Sequence, residues 1–192
     1  MASLDPSAID INSTYENVLR TLKGRLVDWY NNGIDFGSPI KQPLLHVQDQ
    51  QAATTNGGTF TTGAWRTRVL NTAITNEITG ASLASNQITL PAGTFYCDAS
   101  APAFEVDNHK AKLYNITTSA DILIGTTENA NNAVAVTNRS FVSGRFTLAA
   151  ASVIELQHNC QSTKATTGFG LALGFSVVEV YSDIKIWWVG KT

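Results

Sequence analysis

The chain has 192 residues, which suits one domain of ordinary size plus a short appendage. Hydrophobic residues make up 43% of it and charged residues only 15%, well under the roughly 25% of an average soluble domain, so its surface must be rich in uncharged polar residues. This composition favours β-structure. The formal net charge is -2 and the 13 Lys and Arg are scattered, which excludes the basic footprint expected of a nucleic-acid-binding protein.

No segment has the character of a targeting or membrane-spanning sequence. Met1–Ile11 lacks the basic and apolar pattern of a secretory signal, and no run approaches the about 20 apolar residues that cross a bilayer. We therefore expect a soluble protein without membrane insertion. Cys97 and Cys160 lack the spacing of a zinc site and the density of a disulfide scaffold, which predicts two free, mostly buried thiols.

The first segment with a clear period predicts a helix over about residues 13–32. Ser13 with Glu16 forms a capping box, and Gly33 stands where a helix would end. Apolar residues follow alternating steps of four and three, which places them on one stripe: Tyr15, Leu19, Leu22, Leu26 and Trp29. So short a helix is not stable alone in water, so the stripe must pack against its own domain, self-associate or dock into a larger assembly.

A linker and a β-rich domain follow. Gly33, Gly37 and Pro39 interrupt any period before Pro43, so residues 1–43 are predicted to be an anchoring segment and residues 44–192 the domain. Short β-branched or aromatic stretches, broken by turn signals, predict an all-β, antiparallel sandwich. The predicted strands or strand pairs are Gly58–Leu70, Gln87–Leu90, Thr94–Val106, Ala111–Thr117, Asp121–Thr127, Phe141–Leu148, Val153–Cys160 and Phe175–Val189.

The adjacent residues Trp187 and Trp188 bear on assembly. In a strand, one ring must point to each face of the sheet, so both cannot enter the same core. An exposed Trp would form an apolar patch, which favours cover by a neighbouring subunit. Trp187 and Trp188, with Tyr181 on the same strand, are therefore the predicted contacts between subunits.

Catalytic chemistry has little support in the sequence. His46, His109 and His158 belong to no recognised catalytic or metal motif, and the glycine-rich stretches precede no helix that could hold a phosphate. Glu105, Asp107 and His109 alternate and could share a strand face that holds a cation, although a solvated strand end is the simpler interpretation. We predict a protein that is not an enzyme and needs no cofactor and no metal.

Three stretches resemble C1q/TNF-like jelly-roll domains. Gln87–Tyr96 is similar to that family's strand, Pro-x-Gly turn and aromatic strand, and Phe141–Gln157 resembles its later hairpin. Ile184–Trp188 lies where its closing strand should be. The resemblance spans about residues 44–189 and implies a C1q/TNF-like jelly roll that forms a homotrimer around a three-fold axis.

Further segments resemble C-terminal domains of tailed-phage structural proteins. They are Gly57–Arg68, Ala99–Phe104, His109–Tyr114 and Ser182–Trp187. This resemblance implies a bacteriophage virion structural protein, with residues 1–43 attached to other virion proteins. A short tail fibre or receptor-binding accessory, used in host attachment with a host surface glycan or receptor as partner, is the leading interpretation. A capsid decoration, cement or head-fibre protein and a stand-alone carbohydrate-binding module are the alternatives.

Overall fold

The computed structural model describes residues 15–24 and 42–191, and the chain divides into two compact units, Met1–Lys41 and Gln42–Thr192. In the first unit, residues 15–24 form a helix, α1. The rest of the predicted helix, with Leu26 and Trp29, lies outside the described residues. No helix among the described residues is long and apolar enough to cross a membrane.

Strands fill most of the second unit. In chain order they are β1 (Leu44–Gln51), β2 (Arg66–Thr67), β3 (Thr72–Asn76), β4 (Ser82–Ala84), β5 (Gln87–Leu90), β6 (Gly93–Phe104), β7 (Asp107–Asn115), β8 (Ala120–Ala130), β9 (Thr137–Leu148), β10 (Ser152–Cys160) and β11 (Glu179–Gly190). All the paired strands run antiparallel. The all-β prediction is confirmed.

Two sheets pack face to face. The front sheet has the order β3-β1-β11-β6-β9, and the back sheet has the order β4-β5-β10-β7-β8 with β2 paired to β10. From β8 to β11 each successive strand changes sheet, which is the winding of a jelly roll. The predicted antiparallel jelly-roll sandwich is therefore what the chain forms.

The core lies between the sheets because alternate side chains of each strand point inward. On β6, Phe95, Cys97 and Ala99 are buried, and on β11 Ile184 and Ile186 meet them. A second, smaller apolar cluster contains Phe60, Ala103, Val106, Ala130 and Cys160. Cys97 and Cys160 are both free and buried, and burial raises the pKa of the Cys160 thiol to about 11.

Two predicted strands differ from the structure. Only Arg66–Thr67 of the predicted strand Gly58–Leu70 pairs with β10, because Gly58 and Gly63 have positive φ and interrupt the extended backbone. The predicted strand Phe175–Val189 begins at Glu179 instead, and the residues before it form a loop. Strands β1, β3 and β4 have no counterpart among the predicted strands.

A candidate interaction face on the front sheet

The solvent side of the front sheet is the candidate functional surface, here called the front face. Its side chains belong to cross-strand rows, because the register aligns residues of one strand with those of the next. One central row runs from His46 through Lys185 and Asp98 to Ser143. The face has an aromatic end, a polar centre and an apolar end.

Trp187 forms the aromatic end. It lies opposite Tyr96 in the register, with the ring centroids 6.3 Å apart, and the Tyr96 hydroxyl is 2.9 Å from Ser143 Oγ. The two rings and Gln42 line a shallow depression of about 270 Å³. Trp188 points the other way, with its ring centroid 5.7 Å from that of Phe95 in the core. The two tryptophans thus occupy opposite sides of the sheet, as the pleat requires.

Asp183 organises the polar centre. Its carboxylate contacts His46 Nε2 at 2.6 Å, accepts a hydrogen bond from Gln48 Nε2 at 2.7 Å, and pairs with the Lys185 ammonium. Burial acts to raise the pKa of Asp183, but hydrogen bonds from Lys185, Gln48 and His46 lower it below its usual value. The group stays ionised and orders its three neighbours, so the centre of the face is polar and pre-organised.

An apolar loop, residues 171–178, forms the other end of the front face. Its side chains project into solvent: Phe175 is 75% exposed, Leu173 67% and Val177 64%. Leu171, Val178 and the adjoining Val180 are also exposed. Single exposed apolar residues are ordinary on protein surfaces, but a contiguous group of this kind marks an interaction site.

The apolar loop is held in place by hydrogen bonds at its base. Gly174 N and Thr54 N both donate to Glu179 Oε1, at 2.8 and 3.3 Å, and Ala172 N donates to Asn56 Oδ1 at 2.9 Å. The hydrogen bond from Gly174 is the main reason why the pKa of Glu179 is lowered. Because charged carboxylates make strong hydrogen bonds, the loop presents its apolar side chains on an ordered backbone.

A depression of about 210 Å³ lies beside the apolar loop. Leu171 and Leu173 line it from the loop, and Pro102, Arg139 and Val180 line it from the strands. Tyr181 also contributes to the wall, next to Gly170, where an added Cβ would lie 2.1 Å from the Tyr181 ring. Only glycine fits there, so the tight contact between loop and ring sets the shape of the depression.

The predicted subunit contacts fall in three different surroundings. Trp187 lies on the front face, whereas Trp188 packs against the core. Tyr181 is only 3% exposed, and its hydroxyl donates to Thr55 O at 2.7 Å, with a pKa raised to about 12 by burial. Of the three residues, Trp187 is therefore the one whose ring lies on the front face.

The predicted docking residues are only partly described. Tyr15, Leu19 and Leu22 lie on α1 with their side chains exposed, as does Val18. The helix thus has an apolar surface in the described range. Whether it meets a virion protein remains a prediction.

A buried polar cluster stands behind the apolar end of the face. The guanidinium of Arg68, a fully buried residue, donates to Ser182 Oγ at 2.8 Å, Phe169 O at 2.9 Å and Pro102 O at 3.3 Å. It also lies over the Phe169 ring, 4.1 Å from its centroid. Burial lowers the pKa of Arg68 to about 9. Because Arg68 N also donates to Leu156 O of β10 at 2.8 Å, Arg68 ties the segment before the apolar loop to both sheets.

The candidate cation ligands Glu105, Asp107 and His109 are not brought together. Glu105 and Asp107 both have positive φ, so the chain turns there instead of continuing one strand face. Glu105 pairs with Lys164, Asp107 accepts from Asn132 Nδ2, and His109 contacts His158 in the interior. Within residues 15–24 and 42–191, no group of three or more His, Cys, Asp or Glu could hold a metal ion.

Sequence reasoning missed the apolar loop and the buried polar cluster. The loop had a usable signal, because Gly168, Gly170 and Gly174 interrupt apolar residues that do not alternate with polar ones. The cluster had none, because Arg68 and its partners lie far apart in the chain.

Comparisons with known proteins bear on the fold. No protein-family model matches the sequence, and no curated protein matches it. Murine APRIL at pH 5.0 is similar in structure with a TM-score of 0.50 and 8% identity, over 78% of this chain and 100% of that one. The globular domain of zebrafish complement 1qA protein gives a TM-score of 0.46 and 11% identity, over 79% and 100%. With the strand order above, the likeness to APRIL shows that the second unit has a C1q/TNF-like jelly-roll fold.

Proposed function

We propose that this protein is a non-enzymatic, homotrimeric binding module on the surface of a tailed-phage particle, where it serves as a short tail fibre or receptor-binding accessory. The observation that carries the proposal is the front face. A jelly-roll sandwich normally turns polar side chains to water, yet this side has Trp187 and Tyr96 at one end and the apolar loop at the other. Cover by other copies would remove both from water.

The front face suits a specific contact between three copies around an axis better than a uniformly apolar surface would. Its polar centre holds both signs of charge, with Lys185 next to Asp183 and Asp98 opposite Lys185 in the register. Such a centre favours one register between copies, because misaligned charges repel or lose their partners. The sequence resemblance to C1q/TNF-like domains supports the three-fold arrangement.

The placement on a virion rests on the resemblance of segments such as Gly57–Arg68 and Ser182–Trp187 to tailed-phage structural proteins. Attachment through residues 1–43 rests on the apolar stripe, of which Leu19 and Leu22 are exposed on α1. The jelly roll would then project outward and bind a host surface glycan or receptor.

Sedimentation equilibrium of the full chain tests the trimer. We expect the mass of three chains of 20.6 kDa each at micromolar concentration. A single-chain mass across that range would contradict the proposal.

Labelled antibody on purified phage particles tests the location. Label at the tail supports the fibre role. Label on the capsid would contradict the fibre role and would show that the protein is a capsid decoration protein. Absence from particles, together with glycan binding by the free protein, would favour a stand-alone carbohydrate-binding module.

A further inference from the structure

We infer that Phe175 of one copy inserts into the depression beside the apolar loop of the next copy, so that neighbouring copies make a head-to-tail contact. The inference rests on the proposed homotrimer, and it names the residues that would form the contact between its subunits. The occupant of the depression is therefore a second copy of this chain.

Phe175 is the projecting partner. It is the most exposed large apolar residue in the described part of the chain, at 75%. The backbone beneath it is ordered by the hydrogen bond from Gly174 N to Glu179 Oε1, with Gly174 at a φ of 71°. Little conformational entropy is then lost on insertion, which favours association.

The depression is the receiving partner. At about 210 Å³, with walls from Leu171, Leu173 and Val180, it has room and apolar surface for a phenyl ring. Arg139 also lines it, and its guanidinium is fixed by hydrogen bonds to Ser100 Oγ at 3.0 Å and to Tyr181 O. A cation beside an inserted ring adds a favourable cation–π contact.

The two partners lie on the same part of the molecule. Leu173 lines the depression, and Phe175 follows two residues later on the same loop. A head-to-tail contact forms a closed ring when the rotation that relates neighbouring copies closes after a whole number of copies, and an open filament when it does not. In the proposed homotrimer the rotation is one third of a turn, so three such contacts close the ring.

Replacing Phe175 by Asp tests the projecting partner. We expect Phe175→Asp to sediment as a monomer with an unchanged far-UV spectrum, because a charge would enter an apolar site. The milder Phe175→Ala should weaken association about 10- to 100-fold, and Phe175→Leu should stay trimeric. Ile124→Asp is the matched control, because Ile124 is also exposed, at 55%, but belongs to β8 of the back sheet.

Replacing Thr137 by Trp tests the receiving partner. Thr137 is exposed and lines the depression, so an indole there should occupy it and also release monomers. If Phe175→Asp or Thr137→Trp remains trimeric, this contact is wrong while the homotrimer stands, and the apolar loop is free for a different protein or a membrane. If the unmodified chain is itself a monomer, the homotrimer and this contact fail together.

Discussion

Arg68, His109 and His158 are all buried inside the sandwich, where charged side chains are seldom fully buried. The protonation pattern follows from the hydrogen bonds. Asn138 Nδ2 donates to Asn129 O, so Asn138 Oδ1 accepts from His109 Nε2 at 2.6 Å. His109 Nδ1 then accepts from His158 Nε2 at 2.9 Å. His158 Nδ1 is left as a buried acceptor that has no hydrogen-bond partner in the described part of the chain.

The two histidines are predicted to make the protein sensitive to mild acid. Burial lowers the pKa of both His109 and His158, with His158 well below its usual value, and the charge of Arg68 lowers each further. The folded state therefore keeps them neutral, while the unfolded chain takes up protons below a pH of about 6.5. The free energy of unfolding should therefore be highest above that pH and should fall as the pH drops through it.

Urea unfolding at about pH 7.5 and about pH 5.5, at one fixed protein concentration, measures this effect. The free energy of unfolding should fall by at most about 1.4 kcal/mol per pH unit for each histidine. In His158→Phe the fall should be smaller, since one proton-binding group is gone and a ring still packs against Phe60. An equal fall in both proteins would show that His158 does not contribute to the acid sensitivity.

Strands β8 and β9 close one edge of the sandwich. They belong to different sheets, yet Ser140 Oγ donates to Thr126 O at 2.7 Å and Phe141 N donates to Thr126 Oγ1 at 3.0 Å. Gly125 makes this approach possible. A Cβ added there would lie 2.7 Å from both Ala111 O and Phe141 O, which are backbone atoms that cannot move aside cheaply.

Gly125→Ala is therefore expected to lower the free energy of unfolding by about 1–3 kcal/mol, the usual cost of overpacking. Gly190→Ala is the control, because nothing lies within 4 Å of an added Cβ at that position. It should be neutral, or slightly stabilising through the unfolded chain. Chemical denaturation of both variants provides the measurement, and equal stability would mean that the sheet edge adjusts.

The jelly roll contains its own core. The main apolar cluster extends from Leu45 to Ile186, entirely within Gln42–Thr192. We therefore predict that deletion of residues 1–43 leaves a folded β domain with the far-UV spectrum of strands. Loss of that spectrum would show that the first unit is needed for folding.

Attachment is expected to depend on the other unit. Changing Leu22 and Leu26 together to Asp should place unpaired charges in the docking contact, at a cost of several kcal/mol. The amount of this protein in purified particles should fall, while the free double variant remains trimeric. Lys23→Asp, on the same helix but off the apolar stripe, should leave incorporation unchanged. Normal incorporation of the double variant would assign docking to the jelly roll.

The sequence by itself determined the fold class, because the relevant signals are local. Alternation of Phe95, Cys97 and Ala99 after the turn at Pro91–Gly93 predicts a half-buried strand without knowledge of its partner. The same pleat required Trp187 and Trp188 to point to opposite sides. Short strands such as β3 and β4 were not predicted, since their pairing with β1 and β5 supplies more of their stability than their own residues do.

Only the tertiary structure decided where the chemistry lies. Arg68 looks like an ordinary surface cation in the sequence, and its burial depends on acceptors supplied by Pro102, Phe169 and Ser182. In the sequence the apolar loop resembles the start of a strand, whereas in the structure Gly174 N donates to Glu179 Oε1 and the segment forms a loop. The contacts of Arg68, and the hydrogen bond from Ala172 N to Asn56 Oδ1 at the base of the loop, join groups distant in sequence. Local propensity carries no information about such contacts, because they form only when the chain folds.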